Sequence, residues 1–154
     1  MSRSEVFIDS SVFMGLLLGD EKAESLVKKI LKEGYKLVIN PVVFSETVYK
    51  VMFKLAIGDG LKGVHDLRKH LENHLFVYEK VKDAFEKMED AGFLNVLEVS
   101  PETIRTAAQL GKEYELLPND AIIVTSCKEH GVEKIAIFDS DFERALFLKI
   151  MGAD

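Results

Sequence analysis

Lys36-Leu37-Val38-Ile39-Asn40-Pro41-Val42-Val43-Phe44-Ser45-Glu46 compresses one strand, one helix start and one acid into a single stretch. The apolar run before Asn40 reads as a strand. Asn40 is placed as the N-cap of a helix, and Pro41 as its first helical residue, where a missing N–H costs nothing. The helix then continues through Val43, Glu46, Thr47, Lys50, Val51 and Lys54. A strand that turns directly into a capped helix is the repeating unit of an α/β protein.

The same unit recurs on both sides of this stretch. Val6-Phe7-Ile8 reads as a first strand, and Ser10-Ser11 offer capping hydroxyls before Val12 to Leu18. Asp20 opens a second helix, with Ala23, Leu26, Val27, Ile30 and Leu31 at helical spacing and Gly34 placed to end it. Phe93 to Val99 is a third strand, and Ser100-Pro101-Glu102 begins a helix through Ile104, Ala107, Ala108 and Leu110. Pro118-Asn119 opens the helix Ala121 to Glu129, which Gly131 closes. Lys134 to Phe138 is a fourth strand, and a last helix is expected from about Phe142 to Lys149.

Between Gly58 and Gly92 the character changes. Gly58-Asp59-Gly60 breaks the chain; Val64, Leu67, Leu71 and Leu75 then mark one amphipathic helix, and Val81, Phe85 and Met88 another. This hairpin has too little apolar surface to stand alone and reads as an addition to the α/β core. The chain is expected to form one domain, residues 1–154, built on an open, mostly parallel sheet covered on both faces.

With 47% hydrophobic residues, 154 residues suffice to bury a core. A formal net charge of −6 argues against a protein that holds nucleic acid by charge alone. The single Cys127 lies in an apolar stretch and reads as a buried structural thiol. No signal-peptide segment or membrane-spanning run is seen, so a cytoplasmic location without membrane association is expected.

Acids stand at the element ends: Asp9 after the first strand, Glu46 on the helix after the second, Asp120 after Pro118-Asn119, and Asp139 after the fourth strand, with Asp141 two residues on. Any one alone reads as a helix cap or a solvated carboxylate. As a set, they can converge at the carboxyl edge of the sheet, where such folds bind ligands. Converging carboxylates repel unless a cation sits among them, and an all-oxygen donor set suits Mg²⁺ or Mn²⁺. Lys50 and Lys54 share a face with Glu46 and are the first choices for phosphate contact. His70 and His74 flank Glu72 in an order unlike a zinc helix, and are read as a solvated face.

Four quoted motifs together resemble the PIN-domain nucleases: Phe7-Ile8-Asp9-Ser10-Ser11, Asn40-Pro41-Val42-Val43-Phe44-Ser45-Glu46, Asn119-Asp120-Ala121-Ile122-Ile123 and Phe138-Asp139-Ser140-Asp141-Phe142. Within that family the chain is most similar to VapC-type toxins and related archaeal proteins. The resemblance implies a Rossmann-like three-layer α/β/α sandwich and Mg²⁺- or Mn²⁺-dependent endoribonuclease activity. It also implies a homodimer and, for toxin members, a small antitoxin protein that enters the active-site groove. It carries catalytic roles onto Asp9, Glu46, Asp120 and Asp139, and metal ligation onto Asp9, Asp120, Asp139 and Asp141. Ile137 departs from the family, many of whose members have Ser or Thr there; Ser10 can compensate by holding Asp9 or a water, or can serve as a cap.

Competing α/β functions fit less well. A phosphoacceptor domain or a haloacid-dehalogenase-type phosphatase needs further acids beside Asp9, where Ser10-Ser11 stand, and a dinucleotide binder needs a glycine-rich turn after the first strand. A non-toxin RNA-processing nuclease and a non-catalytic RNA- or protein-binding scaffold remain as alternatives.

Overall fold

The computed structural model describes residues 4–138 and 147–152. Five parallel strands, β1 (Glu5–Ile8), β2 (Lys36–Ile39), β3 (Leu94–Val96), β4 (Lys134–Ala136) and β5 (Lys149–Met151), form one sheet in the order β3-β2-β1-β4-β5. Helices α1 (Ser10–Leu17) and α2 (Glu21–Lys32) connect β1 to β2. Helices α3 (Pro41–Gly58), α4 (Val64–Lys69) and α5 (Phe76–Asp90) lie between β2 and β3. Then α6 (Pro101–Tyr114) and α7 (Pro118–Glu129) lead to β4.

The chain steps from β1 outward to β3 and then returns to the other side of β1. Right-handed crossovers therefore put α1 to α5 on one face and α6 and α7 on the other. The packing agrees: α1 lies against α2, α3 and α5, whereas α6 lies against α7. The result is the expected three-layer sandwich, with β1, β2 and β4 buried at its centre; Val6, Phe7, Leu37, Val38 and Ile135 have no exposed surface. Gly15 permits the close approach of α1 and α2, since a Cβ at that position would stand 2.7 Å from the Ala23 Cβ. Among the described residues no helix is long and apolar enough to cross a membrane.

Several sequence expectations are corrected. A fifth strand occupies Lys149–Met151, where a helix had been expected to end; three residues are too few to show a period, and pairing with β4 decides their conformation. Phe147 and Leu148, also within that expected helix, are not helical, while residues 142–146, and with them Asp139 and Asp141, lie outside the described residues. The third strand spans only Leu94–Val96, although Leu97 N–H still donates to Ile39 O at 2.7 Å. The first helix of the hairpin stops at Lys69, followed by a 3₁₀ turn at Leu71–Asn73. That break turns His74 inward. It is 2% exposed rather than solvated, its Nδ1 is 3.2 Å from His70 O, and its Nε2 lies 3.4 Å from Asp59 Oδ2.

Asn40 is the joint that sets α3. Its Oδ1 accepts from the N–H groups of Val42 and Val43 at 3.1 and 3.3 Å, and its Nδ2 donates to Ser126 Oγ of α7 at 3.0 Å. The residue is wholly buried, so every polar atom lost there leaves a partner unsatisfied. Asn40→Ala is expected to destabilise the protein by about 2–3 kcal/mol, from the lost cap together with the stranded Ser126 hydroxyl. Urea unfolding measures this directly; a loss below ~0.5 kcal/mol would show that α3 is held by its apolar face alone.

Candidate active site

Asp9 ends β1 at the topological switch point, where connections leave the sheet in opposite directions. Its N–H donates to Ala136 O of β4 at 3.0 Å, and its carbonyl accepts from Val12 and Phe13 in the first turn of α1. Its side chain caps that helix, Oδ2 accepting from Ser11 N–H at 2.9 Å. The cap is thus Asp9 itself and not Ser10 or Ser11, which are the first helical residues. Their hydroxyls are thereby released for other work.

Ser11 Oγ accepts from Phe138 N–H at 3.1 Å and so fixes the chain immediately before Asp139. The Phe138 ring also carries the Lys22 ammonium, 4.8 Å from its centroid. Ser10 Oγ points the other way. It donates to Glu46 Oε1 at 3.2 Å and accepts from Lys50 Nζ at 2.8 Å. The other oxygen of Glu46 accepts from Asn119 Nδ2 at 3.1 Å, which ties α3 to the first turn of α7. Asp120 is the next residue in that turn and is partly buried.

The structure therefore brings Asp9 and Glu46 together through Ser10, and sets the start of α7 beside them. Among the described residues no three His, Cys, Asp or Glu side chains form a closed metal-binding group. The two candidate acids after β4 lie outside the described residues. Lys50, expected as a phosphate contact, is half-buried and donates to Ser10 Oγ beside Glu46. Asn119 was missed; its only signal was adjacency to Asp120. Lys54 is exposed, and Cys127 is buried in apolar surroundings that push its thiol pKa up, away from any nucleophilic role.

Burial dominates the electrostatics. Asp9 is 4% exposed, and desolvation raises its carboxyl above the ordinary value, with the Glu46 charge adding to the rise. The Ser11 hydrogen bonds and the Lys50 charge oppose it without overcoming it. The Asp9 and Glu46 carboxylates and the Ser10 hydroxyl at the carboxyl edge of the sheet are oxygen donors of the kind a hard divalent cation takes, with the Lys50 ammonium standing among them.

A Rossmann-like sandwich with acids gathered at its switch point is the architecture of a recognisable class of α/β proteins. The model of the PIN domain matches residues 6–148, and the chain belongs to the PIN-domain family. It is 48% identical over 151 residues to Ribonuclease VapC6 of Methanocaldococcus jannaschii, covering 98% of this chain and 99% of that one. It is 32% identical to Ribonuclease VapC2 of the same organism, covering 98% and 95%. Among solved structures, a toxin-antitoxin complex from Klebsiella pneumoniae shares the fold, with a TM-score of 0.61 at 16% identity over 94% of this chain and 95% of that one.

Because burial penalises the ionised form, the folded pKa of Asp9 lies above its unfolded value. Its protonation therefore stabilises the fold at acid pH, and that stability is lost as pH rises through the folded pKa. Asn at this position keeps an acceptor for Ser11 N–H and has no charge to bury. Asp9→Asn is expected to raise the melting temperature of metal-free protein at neutral pH. The gain should vanish as pH falls below the ordinary carboxyl value of 3.8. Thermal scans across pH test this, and a lower melting point for the variant at neutral pH would contradict it.

Proposed function

We propose that this chain is a divalent-metal-dependent endoribonuclease that hydrolyses RNA phosphodiester bonds, as the toxin component of a type II toxin-antitoxin pair. The observation that carries the reading is the buried Asp9 carboxylate at the switch point of a PIN-domain sheet, with its chain neighbour Ser10 hydrogen-bonded to Glu46. The name of a relative 48% identical across nearly the whole chain, a ribonuclease, supports the reaction class. The related fold of a toxin-antitoxin complex supports an antitoxin partner.

Asp9, Asp120 and Asp139 are assigned to hold Mg²⁺ or Mn²⁺, with Asp141 as a further ligand. When bound, such an ion offsets the charge that builds on phosphoryl oxygens and eases deprotonation of the attacking water. The chain's own residues do the positioning. Ser10 and Asn119 fix both oxygens of Glu46, leaving its carboxylate oriented toward the pocket as the group that aligns water and accepts its proton. Asp9 is held in place by the sheet and by α1, so its geometry is set before any ligand arrives.

A homodimer is proposed as the working form. Phe44, Tyr49, Leu71 and Tyr78 are exposed around a hollow between α3, α4 and α5, and the Phe44 and Tyr78 rings lie 6.5 Å apart. An apolar surface of this kind on the helix that carries Glu46 suits self-association.

Asp9→Asn and Asp139→Asn are each expected to lower single-turnover cleavage at saturating RNA by at least ~100-fold, since even supporting groups around a catalytic metal cost about 10–100-fold when lost. Chelation of divalent ions should abolish cleavage, and Mn²⁺ or Mg²⁺ should restore it. Parental cleavage by Asp9→Asn would remove the nuclease assignment in favour of a non-catalytic scaffold. A nuclease whose expression leaves growth unchanged would favour RNA processing over a toxin role.

A further inference from the structure

We propose that a proton on His74 latches α4 and the following 3₁₀ turn to the end of α3, so that the wall they give the apolar hollow is in place at acid pH and released at alkaline pH. The proposal goes beyond the ribonuclease reading and draws on no residue of the acidic pocket.

Helix α4 has little apolar anchorage of its own. Of its six residues only Leu67 is buried, and the 3₁₀ turn Leu71–Asn73 buries none. A segment held by so few buried side chains lies at the low end of local stability. His74 stands directly after that turn and supplies what Leu67 does not. Its side chain is 2% exposed and reaches both ends of the segment, Nδ1 lying 3.2 Å from His70 O and Nε2 3.4 Å from Asp59 Oδ2. Asp59 is the residue that ends α3.

Both ring nitrogens therefore face acceptors. A carbonyl oxygen can only accept, so Nδ1 carries the proton of its hydrogen bond to His70. In the neutral ring Nε2 is then a bare lone pair turned toward a carboxylate, which repels it. Nε2 is buried and makes no hydrogen bond elsewhere that would relieve this. The other neutral tautomer merely moves the mismatch to Nδ1. Only the imidazolium, with a proton on each nitrogen, meets both acceptors as a donor. A charge withdrawn from water is tolerated when it is paired and hydrogen-bonded, and Asp59 and the His70 carbonyl fill those two roles.

Other charged groups on the surrounding elements are engaged elsewhere or exposed. Asp66 Oδ2 accepts from Lys62 N–H, Arg68 and Tyr78 line the hollow, and Glu79 pairs with Lys82. The side chains of Lys54, His65, Lys69, His70, Glu72 and Lys80 are exposed. Among the described residues Asp59 is the one charged group within ion-pair distance of the ring.

An imidazole in an unfolded chain takes up its proton at about pH 6.5. Folding adds contacts that are complete only with that proton, so their contribution is fully present below this value and is lost on the alkaline side, as the folded ring gives the proton up. The tie to Asp59 then becomes a repulsion. Leu67, Arg68 and Leu71, which form the α4 side of the hollow, lose their hold on the end of α3.

Amide hydrogen exchange of the full-length protein at about pH 5.5 and about pH 8.5, corrected for the intrinsic pH dependence of exchange, reads the latch without reference to cleavage. Amides of residues 64–74 should lose roughly three- to tenfold of their protection at the higher pH, relative to those of β2. Asp59→Asn separates the latch from other titrations. Asp59 is exposed, so the fold tolerates the change, and the new amide can donate to a neutral Nε2. Relative protection in that variant should be the same at both pH values. Nitrogen NMR of the His74 ring should show both nitrogens protonated at the lower pH. Equal relative protection in the parent at both pH values would overturn the proposal. An unchanged pH response in Asp59→Asn, which retains all four histidines, would overturn it too, as would a bare ring nitrogen at the lower pH.

Discussion

A carboxylate withdrawn from water organises this molecule. Asp9 cannot swing out to relieve its own burial, because its N–H belongs to the β1–β4 joint and its carbonyl begins the hydrogen-bond ladder of α1. Its side chain satisfies Ser11 N–H as the helix cap. Three structural duties thus hold one charged group where it is least comfortable. The fold keeps the charge in place, and the chemistry around it supplies the reason to do so. The Asp9 carboxyl is raised above the ordinary value, by burial first and by the Glu46 charge last.

The helices around Asp9 are tied across the carboxyl edge of the sheet by polar bonds. Asn40 reaches from the end of β2 to Ser126 within α7, and Glu46 reaches from α3 to Asn119 at the start of α7. Helices that cover opposite faces are therefore joined at two points near the pocket. Apolar packing alone leaves helices free to slide by small amounts, whereas the buried Asn40–Ser126 bond, with the exposed Glu46–Asn119 bond beside it, favours one register. Glu46 and the first turn of α7, where Asp120 stands, are thereby tied to one another beside Asp9.

Much of the fold was readable because local signals and tertiary pattern agreed. Asn40-Pro41 marks the start of α3, Asp20 that of α2 and Ser100-Pro101 that of α6, and each has the cap or proline the sequence suggested. What failed was set by distant partners. The strand Lys149–Met151 exists because β4 offers an edge, and the break after Lys69 buries His74 in a way no helical period foretells. The candidate site was legible as a set of acids at element ends; of these the structure places Asp9 and Glu46 near one another, while Asp139 and Asp141 lie outside the described residues. Their linkage was not legible. Ser10, Asn119 and Lys50 are separated from their partners by up to 73 positions, and only the folded chain shows which hydroxyl or amide meets which carboxylate.

The acidic balance of the chain also becomes intelligible at this scale. A net charge of −6 is unfavourable for RNA only if the phosphate backbone meets that charge as an unscreened field. In this molecule two of the acids are gathered at a pocket where Lys50 stands beside them and Lys22 is held over the Phe138 ring. Charges dispersed elsewhere on the surface and more than about 8 Å from the substrate are largely screened at physiological salt. On the proposed ribonuclease reading, recognition of RNA has to rest on few phosphate contacts near these acids. Such a nuclease gives up the general electrostatic grip that would hold any nucleic acid. Selectivity is then left to those segments of RNA that can present a phosphate to the Asp9 and Glu46 carboxylates.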